Sequence, residues 1–143
     1  MVQKNLQTDF TFTCYTEDPS NVDAAVRIES LDCSLSLENW WWKLTLFEKP
    51  AVRPTLFLDL DIVIQKDITH LFDMIAHQKV TLVKAYWKPY SLKRDYPEYD
   101  MDQNSSLMLW TGDMTHIWKD FHENSEYYML KYKGIDRYLY YHH

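Results

Sequence analysis

The chain has 143 residues and a formal net charge of -6, and only two of its residues are glycine. A dinucleotide fingerprint or a P-loop needs several closely spaced glycines, so Gly112 and Gly134 exclude both kinds of phosphate-binding loop. The negative charge balance argues against a nucleic-acid partner, because the footprint of such a partner is a basic face.

The length fits one domain, which we place at residues 1–143, because single domains contain roughly 100–200 residues. No apolar run is long enough to predict a membrane span, and the N-terminal residues do not resemble the start of a signal peptide. The two cysteines, Cys14 and Cys33, provide neither a disulfide framework nor a zinc site. We therefore expect a cytoplasmic protein.

Hydrophobic periodicity predicts strands that alternate with helices. Polar and apolar residues alternate over 10–16, and a short strand is expected over 25–31. Farther along, the pattern predicts strands at 55–64, 80–86 and 106–110, and helices at 37–48, 68–75, 114–121 and in the tyrosine-rich tail. This order predicts an α/β fold with a mainly parallel central sheet flanked by helices.

The polar, tyrosine-rich stretch at 88–103 is predicted to be a long loop, and such loops are usually functional or mobile. Aromatic rings stack on sugars, so an acceptor groove could be lined by Tyr86, Trp87, Tyr90, Tyr96 and Tyr99. The alternative interpretation is packing in the core or at its edge. We favour that alternative for Trp40, Trp41 and Trp118.

Asp59 and Asp61 interrupt the segment 55–64, which is otherwise apolar on both faces, as in a central parallel strand. Residues two apart on a strand project from the same face, and two buried like charges need a partner. The simplest partner is Mg²⁺ or Mn²⁺, which takes the rest of its ligands from water and substrate phosphates. A second Asp-x-Asp, from Asp100 to Asp102, follows no apolar strand, so we interpret it as a solvated pair.

Two enzyme classes place Asp-x-Asp at the end of an apolar strand. In haloacid-dehalogenase-like phosphatases the first Asp is a nucleophile, and residues 57–63 fit the opening of that motif. That class carries the motif near its N-terminus and needs a later acidic pair, for which we find no convincing match. The other class is the GT-A-fold glycosyltransferases.

Several segments, in the expected order, favour the second class. They are Lys43-Leu44 on a predicted helix, Leu56 to Asp61 followed by Leu71-Phe72, Asn104-Ser105, and Gly134 to Arg137. Together they resemble glycogenin-like GT-A glycosyltransferases, in which the Asn-Ser segment contacts the donor sugar and a Gly-Asp-Gln segment follows later. Arg137 departs from that pattern, because Gln is usual there. Residues 12–18 also resemble a strand and turn of bacterial members of this group.

The resemblance implies a Rossmann-like GT-A domain that transfers a sugar from UDP-glucose or UDP-galactose, with retention of configuration, to an unidentified carbohydrate or protein acceptor. It implies that Asp59 and Asp61 bind Mn²⁺ or Mg²⁺ and that Asp59 and Leu60 contact the donor. Lys43 and Asp136 are the expected catalytic residues and also bind the donor, together with Asn104 and Ser105. His142 is a candidate third metal ligand, although it lies outside the motif of the family.

The same residues have plainer interpretations. Lys43 could extend along the tryptophans into water, and Asn104 could bond its own backbone at a loop end. Asp136 could serve a helix end or a salt bridge, and His142 could belong to a frayed terminus.

The resemblance has limits at both ends of the chain. Members of the family carry a further strand before the segment that matches residues 1–6, and they continue beyond the match to residue 143. We therefore expect a GT-A domain that lacks the usual first strand and exposes a sheet edge, which a second copy could cover. The alternative function is a nucleotide-sugar-binding module with little or no transferase activity, and the phosphatase is a more distant alternative.

Overall fold

The structure, a computed structural model, describes residues 2–32, 34–86 and 102–143. Its strands are β1 (Thr13–Thr16), β2 (Arg27–Ser30), β3 (Ala51–Leu58), β4 (Thr81–Lys84) and β5 (Gln103–Gly112). Its α-helices are α1 (Val2–Asn5), α2 (Thr115–Glu123), α3 (Ser125–Lys131) and α4 (Ile135–His142), and two 3₁₀ helices cover Asn39–Phe47 and Thr69–Met74. None of these described helices is long and apolar enough to cross a membrane.

The strands form two small sheets, so the fold is mixed α/β as predicted. β1 pairs with β2 in parallel, with Thr13 opposite Arg27. The other sheet has three antiparallel strands in the order β3-β5-β4. The prediction of one mainly parallel central sheet is therefore wrong for the described residues.

β3 lies at an edge of its sheet, and its sequence gives the reason. Pro54 has no N–H to donate to a ladder, and prolines in sheets are confined to edges and bulges. The pairing with β5 shifts register between Ala51 and Thr55, the part of β3 that contains this proline. The longer β5 takes the central position, and it buries Met108, Leu109 and Trp110.

The helix predicted at 37–48 is present as the first 3₁₀ helix, Asn39–Phe47. Its buried residues are Trp41, Leu44 and Phe47, which are spaced three apart. A 3₁₀ helix has about three residues per turn, so this spacing places all three side chains on one face. The predicted helix at 68–75 is likewise a 3₁₀ helix, Thr69–Met74.

The main core lies between the three-stranded sheet, the first 3₁₀ helix and helices α2, α3 and α4. The rings of Trp41 and Phe121 are stacked, with 5.2 Å between their centroids. The ring centroids of Phe47 and Trp110 are 5.1 Å apart. The predicted burial of Trp41 and Trp118 is confirmed. Trp40 is half exposed instead. It lies outside the spacing of three that Trp41, Leu44 and Phe47 share, so it is not on the buried face of the 3₁₀ helix.

Candidate functional site

The Asp-x-Asp segment follows the end of β3 and forms a turn. β3 ends at Leu58, and the Ile62 N–H donates to the Asp59 carbonyl at 3.1 Å. The Asp59 N–H donates to the Ser106 carbonyl at 2.9 Å, which ties the start of the turn to β5. The strand predicted to reach residue 64 is thus too long, and the same-face argument for Asp59 and Asp61 fails because the chain turns between them.

Lys43 and Asp59 form an ion pair at this end of the sheet. The Lys43 Nζ lies 2.7 Å from Asp59 Oδ1 and 2.7 Å from Oδ2. The same ammonium is 3.5 Å from the Ser105 carbonyl oxygen and 5.4 Å from the centroid of the Phe57 ring. Only 16% of the Lys43 side chain and 27% of the Asp59 side chain are exposed. The charged end of Lys43 therefore lies on a carboxylate and does not extend into water.

Asp136 is the second carboxylate of this region, and it connects α4 to β5. Its Oδ1 accepts the Ser105 N–H at 2.8 Å, and its Oδ2 accepts the Asn104 Nδ2 at 3.2 Å. Asp136 lies in the first turn of α4, where the helix dipole favours negative charge. Asn104 also accepts the Ser106 N–H through Oδ1 at 3.0 Å, so its loop-end interpretation describes part of its role.

Ser105 joins the two carboxylates into one unit. Its carbonyl faces Lys43 and its N–H is bonded to Asp136, and the residue itself is buried. We call the set Lys43, Asp59, Asn104, Ser105 and Asp136 the carboxylate site. Its members come from the first 3₁₀ helix, the turn after β3, the start of β5 and the start of α4.

The adjoining turn is open to solvent. Leu60 is fully exposed and Asp61 is exposed as well. A cavity of about 320 Å³ lies beside this turn and is lined mainly by aliphatic residues, including Leu58, Ile62 and Leu71. An exposed carboxylate, a paired carboxylate and an apolar cavity therefore lie close together.

Asp59 and Asp61 are the candidate metal ligands of this region. Among residues 2–32, 34–86 and 102–143, no group of three His, Cys, Asp or Glu side chains is arranged to bind a metal. Mg²⁺ commonly binds to one or two carboxylates and completes its shell with water and substrate phosphates. Asp61 is exposed and Asp59 keeps part of its surface open, while both Asp59 oxygens are paired with Lys43, so metal binding by these two carboxylates stays a prediction.

His142 lies at the far end of α4 from Asp136. They are six positions apart, which is about 9 Å along a helix axis. The His142 Nε2 is 2.8 Å from the Tyr132 hydroxyl, and its ring contacts Tyr128 and Tyr138. The structure thus places His142 in an aromatic cluster, and its role as a third metal ligand stays a prediction.

Two features of the region went unrecognised in the sequence. The first is the backbone of Ser105, which bridges the two carboxylates and leaves no signal in a side-chain motif. The second is the approach of Trp40 to Gly134, where a Cβ atom would lie 2.9 Å from the Trp40 Nε1. Gly134 therefore has a packing reason to be glycine, immediately before the helix that carries Asp136.

The predicted aromatic acceptor groove falls mostly outside the described residues. Trp87, Tyr90, Tyr96 and Tyr99 are not among residues 2–32, 34–86 and 102–143. Tyr86 is described, and its side chain is largely exposed.

Comparison with known proteins found no relative: no family model, curated protein or solved structure matches the chain.

Proposed function

We propose that this protein is a metal-dependent glycosyltransferase that takes a hexose from a UDP-sugar and transfers it to a carbohydrate or protein acceptor. One observation carries the proposal. Four short segments chosen for their resemblance to GT-A enzymes lie far apart in sequence, and Lys43, Asp59, Asn104 and Asp136 from those segments meet in one place. Chance resemblance of single motifs gives no reason for them to converge.

The side chains at and beside the Asp-x-Asp turn bind the nucleotide part of the donor. Asp61 and Asp59 would hold Mn²⁺ or Mg²⁺, which would supply positive charge to balance that of the departing diphosphate. Before the donor binds, the Lys43 ammonium balances the charge of Asp59, with which it is paired at 2.7 Å. When the diphosphate enters, the same ammonium is placed to attract its negative oxygens. Leu60, fully exposed in the turn, offers an apolar contact to the nucleoside.

Asn104 and Asp136 bind the sugar. The Asn104 amide and the Asp136 carboxylate are already oriented by the hydrogen bond between them and by the Ser105 N–H. Little conformational entropy is therefore lost when a sugar hydroxyl replaces one of these partners. Retention of configuration follows from the family resemblance. A cytoplasmic location and a second copy at an exposed sheet edge belong to the same proposal.

The test is calorimetric titration of UDP-glucose and UDP-galactose into the protein, with Mn²⁺ and with EDTA. We expect binding of one donor that requires Mn²⁺ and is lost in Asp61→Asn. The matched control is Asp73→Asn, which removes an equally exposed carboxylate from the second 3₁₀ helix. Donor binding that survives Asp61→Asn, or no donor binding by the folded protein, contradicts the proposal.

Binding alone does not separate a transferase from a binding module. We expect the protein with Mn²⁺ to release UDP from the bound donor, slowly with water and faster with a suitable acceptor sugar. Lys43→Met should abolish that release. A protein that binds the donor and never releases UDP is a nucleotide-sugar-binding module.

A further inference from the structure

A second cavity, of about 230 Å³, lies between the start of β4, helix α2 and helix α4. No residue of the carboxylate site lines it. Its polar lining residues carry amides, imidazoles, one ammonium and one phenol: Gln78, Lys79, Gln103, His116, Tyr140 and His143. Although Asp and Glu outnumber Lys and Arg by 21 to 15 in the chain, no described lining residue is acidic. The cavity by the Asp-x-Asp turn differs, since Asp67 lines it beside Lys66.

The two imidazoles lie together on one side of this cavity. The rings of His116 and His143 are 5.3 Å apart between centroids. His143 Nε2 is 3.1 Å from the Tyr138 hydroxyl and 3.7 Å from Asp120 Oδ2. The Asp120 carboxylate thus lies next to His143, and both of its oxygens accept hydrogen bonds from tyrosine hydroxyls. Asp120 itself does not line the cavity.

Gln78, on the rim, has a backbone conformation that L residues rarely adopt, with φ at 55°. Only one other non-glycine residue in the described ranges has a positive φ, and it is Asn39. Asparagine tolerates this region and glutamine is not enriched in it. Such strain is concentrated at binding and active sites, where the surrounding structure maintains it.

We propose that this cavity binds a small organic carboxylate. The anionic group lies against Lys79 and the two imidazoles, and the apolar part lies against Leu82 and Leu139. The volume corresponds to about eight water molecules, so the ligand has on the order of eight non-hydrogen atoms. A mixed lining of aliphatic side chains and a few polar groups is typical of small-molecule sites. The site does not depend on the glycosyltransferase proposal.

The probe is isovalerate, a branched carboxylate of suitable size, and its matched control is the uncharged isovaleramide. Each is titrated into the full chain at constant ionic strength, while NMR follows the ring signals of His116 and His143. We expect isovalerate to shift both signals to saturation and isovaleramide to bind much more weakly. Lys79→Met should weaken isovalerate binding by about fivefold, the size expected for an exposed ion pair.

Lys119→Met is the control variant, because it removes the same charge from α2 at an exposed residue that does not line the cavity. Both lysines are exposed, so both variants should fold, and an unchanged near-ultraviolet circular dichroism spectrum checks this. The proposal is overturned if isovalerate produces no saturable shift, if isovaleramide binds equally well, or if the two lysine variants behave alike. If inorganic phosphate binds as tightly as isovalerate, the site does not select an organic carboxylate, and that part of the proposal is overturned.

Discussion

Two carboxylates, Asp136 at the start of α4 and Asp120 on α2, each accept two hydrogen bonds but lie in different surroundings. Asp136 accepts from the Ser105 N–H at 2.8 Å and from the Asn104 amide at 3.2 Å. Asp120 accepts from the Tyr138 hydroxyl at 2.8 Å and from the Tyr128 hydroxyl at 3.1 Å. Asp136 connects α4 to β5, and Asp120 connects α2 to α3 and α4, so geometry alone does not say which one serves stability and which one serves binding.

The groups that donate hydrogen bonds to the two carboxylates distinguish Asp120 from Asp136. Both tyrosines around Asp120 are buried in the aromatic core, and burial followed by the contact with Asp120 raises the pKa of Tyr138 far above its usual value. That hydroxyl therefore remains a donor at any ordinary pH, and no ligand can replace it without opening the core. Asp136 is bonded at a partly buried edge beside the solvent-exposed turn. There a sugar hydroxyl can take the place of the Asn104 amide.

Asp120→Ala is the change with the largest expected effect on folding. It leaves the Tyr128 hydroxyl without its acceptor, which costs about 1–3 kcal/mol, whereas the Tyr138 hydroxyl can still donate to the Ile117 carbonyl at 3.0 Å. We expect the free energy of unfolding, measured with denaturant, to fall by about 1–3 kcal/mol. Asp73→Ala, on the exposed second 3₁₀ helix, should change it by less than about 0.5 kcal/mol. Equal effects of the two substitutions would show that Asp120 has no special part in the core.

Asp136→Asn sharpens the comparison, because it keeps the shape of the side chain and removes its charge. We expect a stability loss of only about 1 kcal/mol, since the Ser105 N–H can still donate to the amide oxygen. Binding of UDP-glucose with Mn²⁺ should weaken by about tenfold, the usual range for a hydrogen bond to a charged group. A stability loss as large as that of Asp120→Ala, with unchanged donor affinity, would assign Asp136 to structure alone.

The sequence predicted the positions of most elements because periodicity marks the buried faces directly. It did not predict how the strands pair. The run at 55–64 is apolar throughout, which is typical of a central parallel strand, yet Pro54 and the exposed residues around it place β3 at an antiparallel edge. Periodicity describes which faces are buried, and it contains no information about which neighbour covers them.

The candidate site shows the same limit. The resemblance singled out Lys43, Asp59, Asn104 and Asp136, and these residues are in contact through hydrogen bonds and an ion pair. The pairing of Lys43 with Asp59 was not foreseen, because it depends on a 3₁₀ helix and a turn that are 16 residues apart in sequence. Asp120 carried no signal at all, since its partners are tyrosines that sequence alone assigns to ordinary packing.

The smallest expected effect is on the pH dependence of stability, and it concerns His143, which lies next to Asp120. Burial, together with the nearby His116, lowers the pKa of His143 to about 4, although Asp120 acts in the opposite direction and His142 in the same one. An unfolded histidine titrates near about 6.5. Between these values the unfolded chain binds the proton and the folded chain does not, so stability must fall as the pH falls through this window.

We expect the free energy of unfolding to decrease between about pH 7 and about pH 5 by less than about 1 kcal/mol from this residue, because water screens a partly enclosed ring. The measurement compares the wild type with His143→Gln, whose amide can still bond the Tyr138 hydroxyl and does not titrate. The variant should lose less stability over this range than the wild type, with the other histidines common to both. An identical pH dependence would mean that the His143 ring is as open to water in the folded chain as in the unfolded one, which would contradict its low side-chain exposure in the structure.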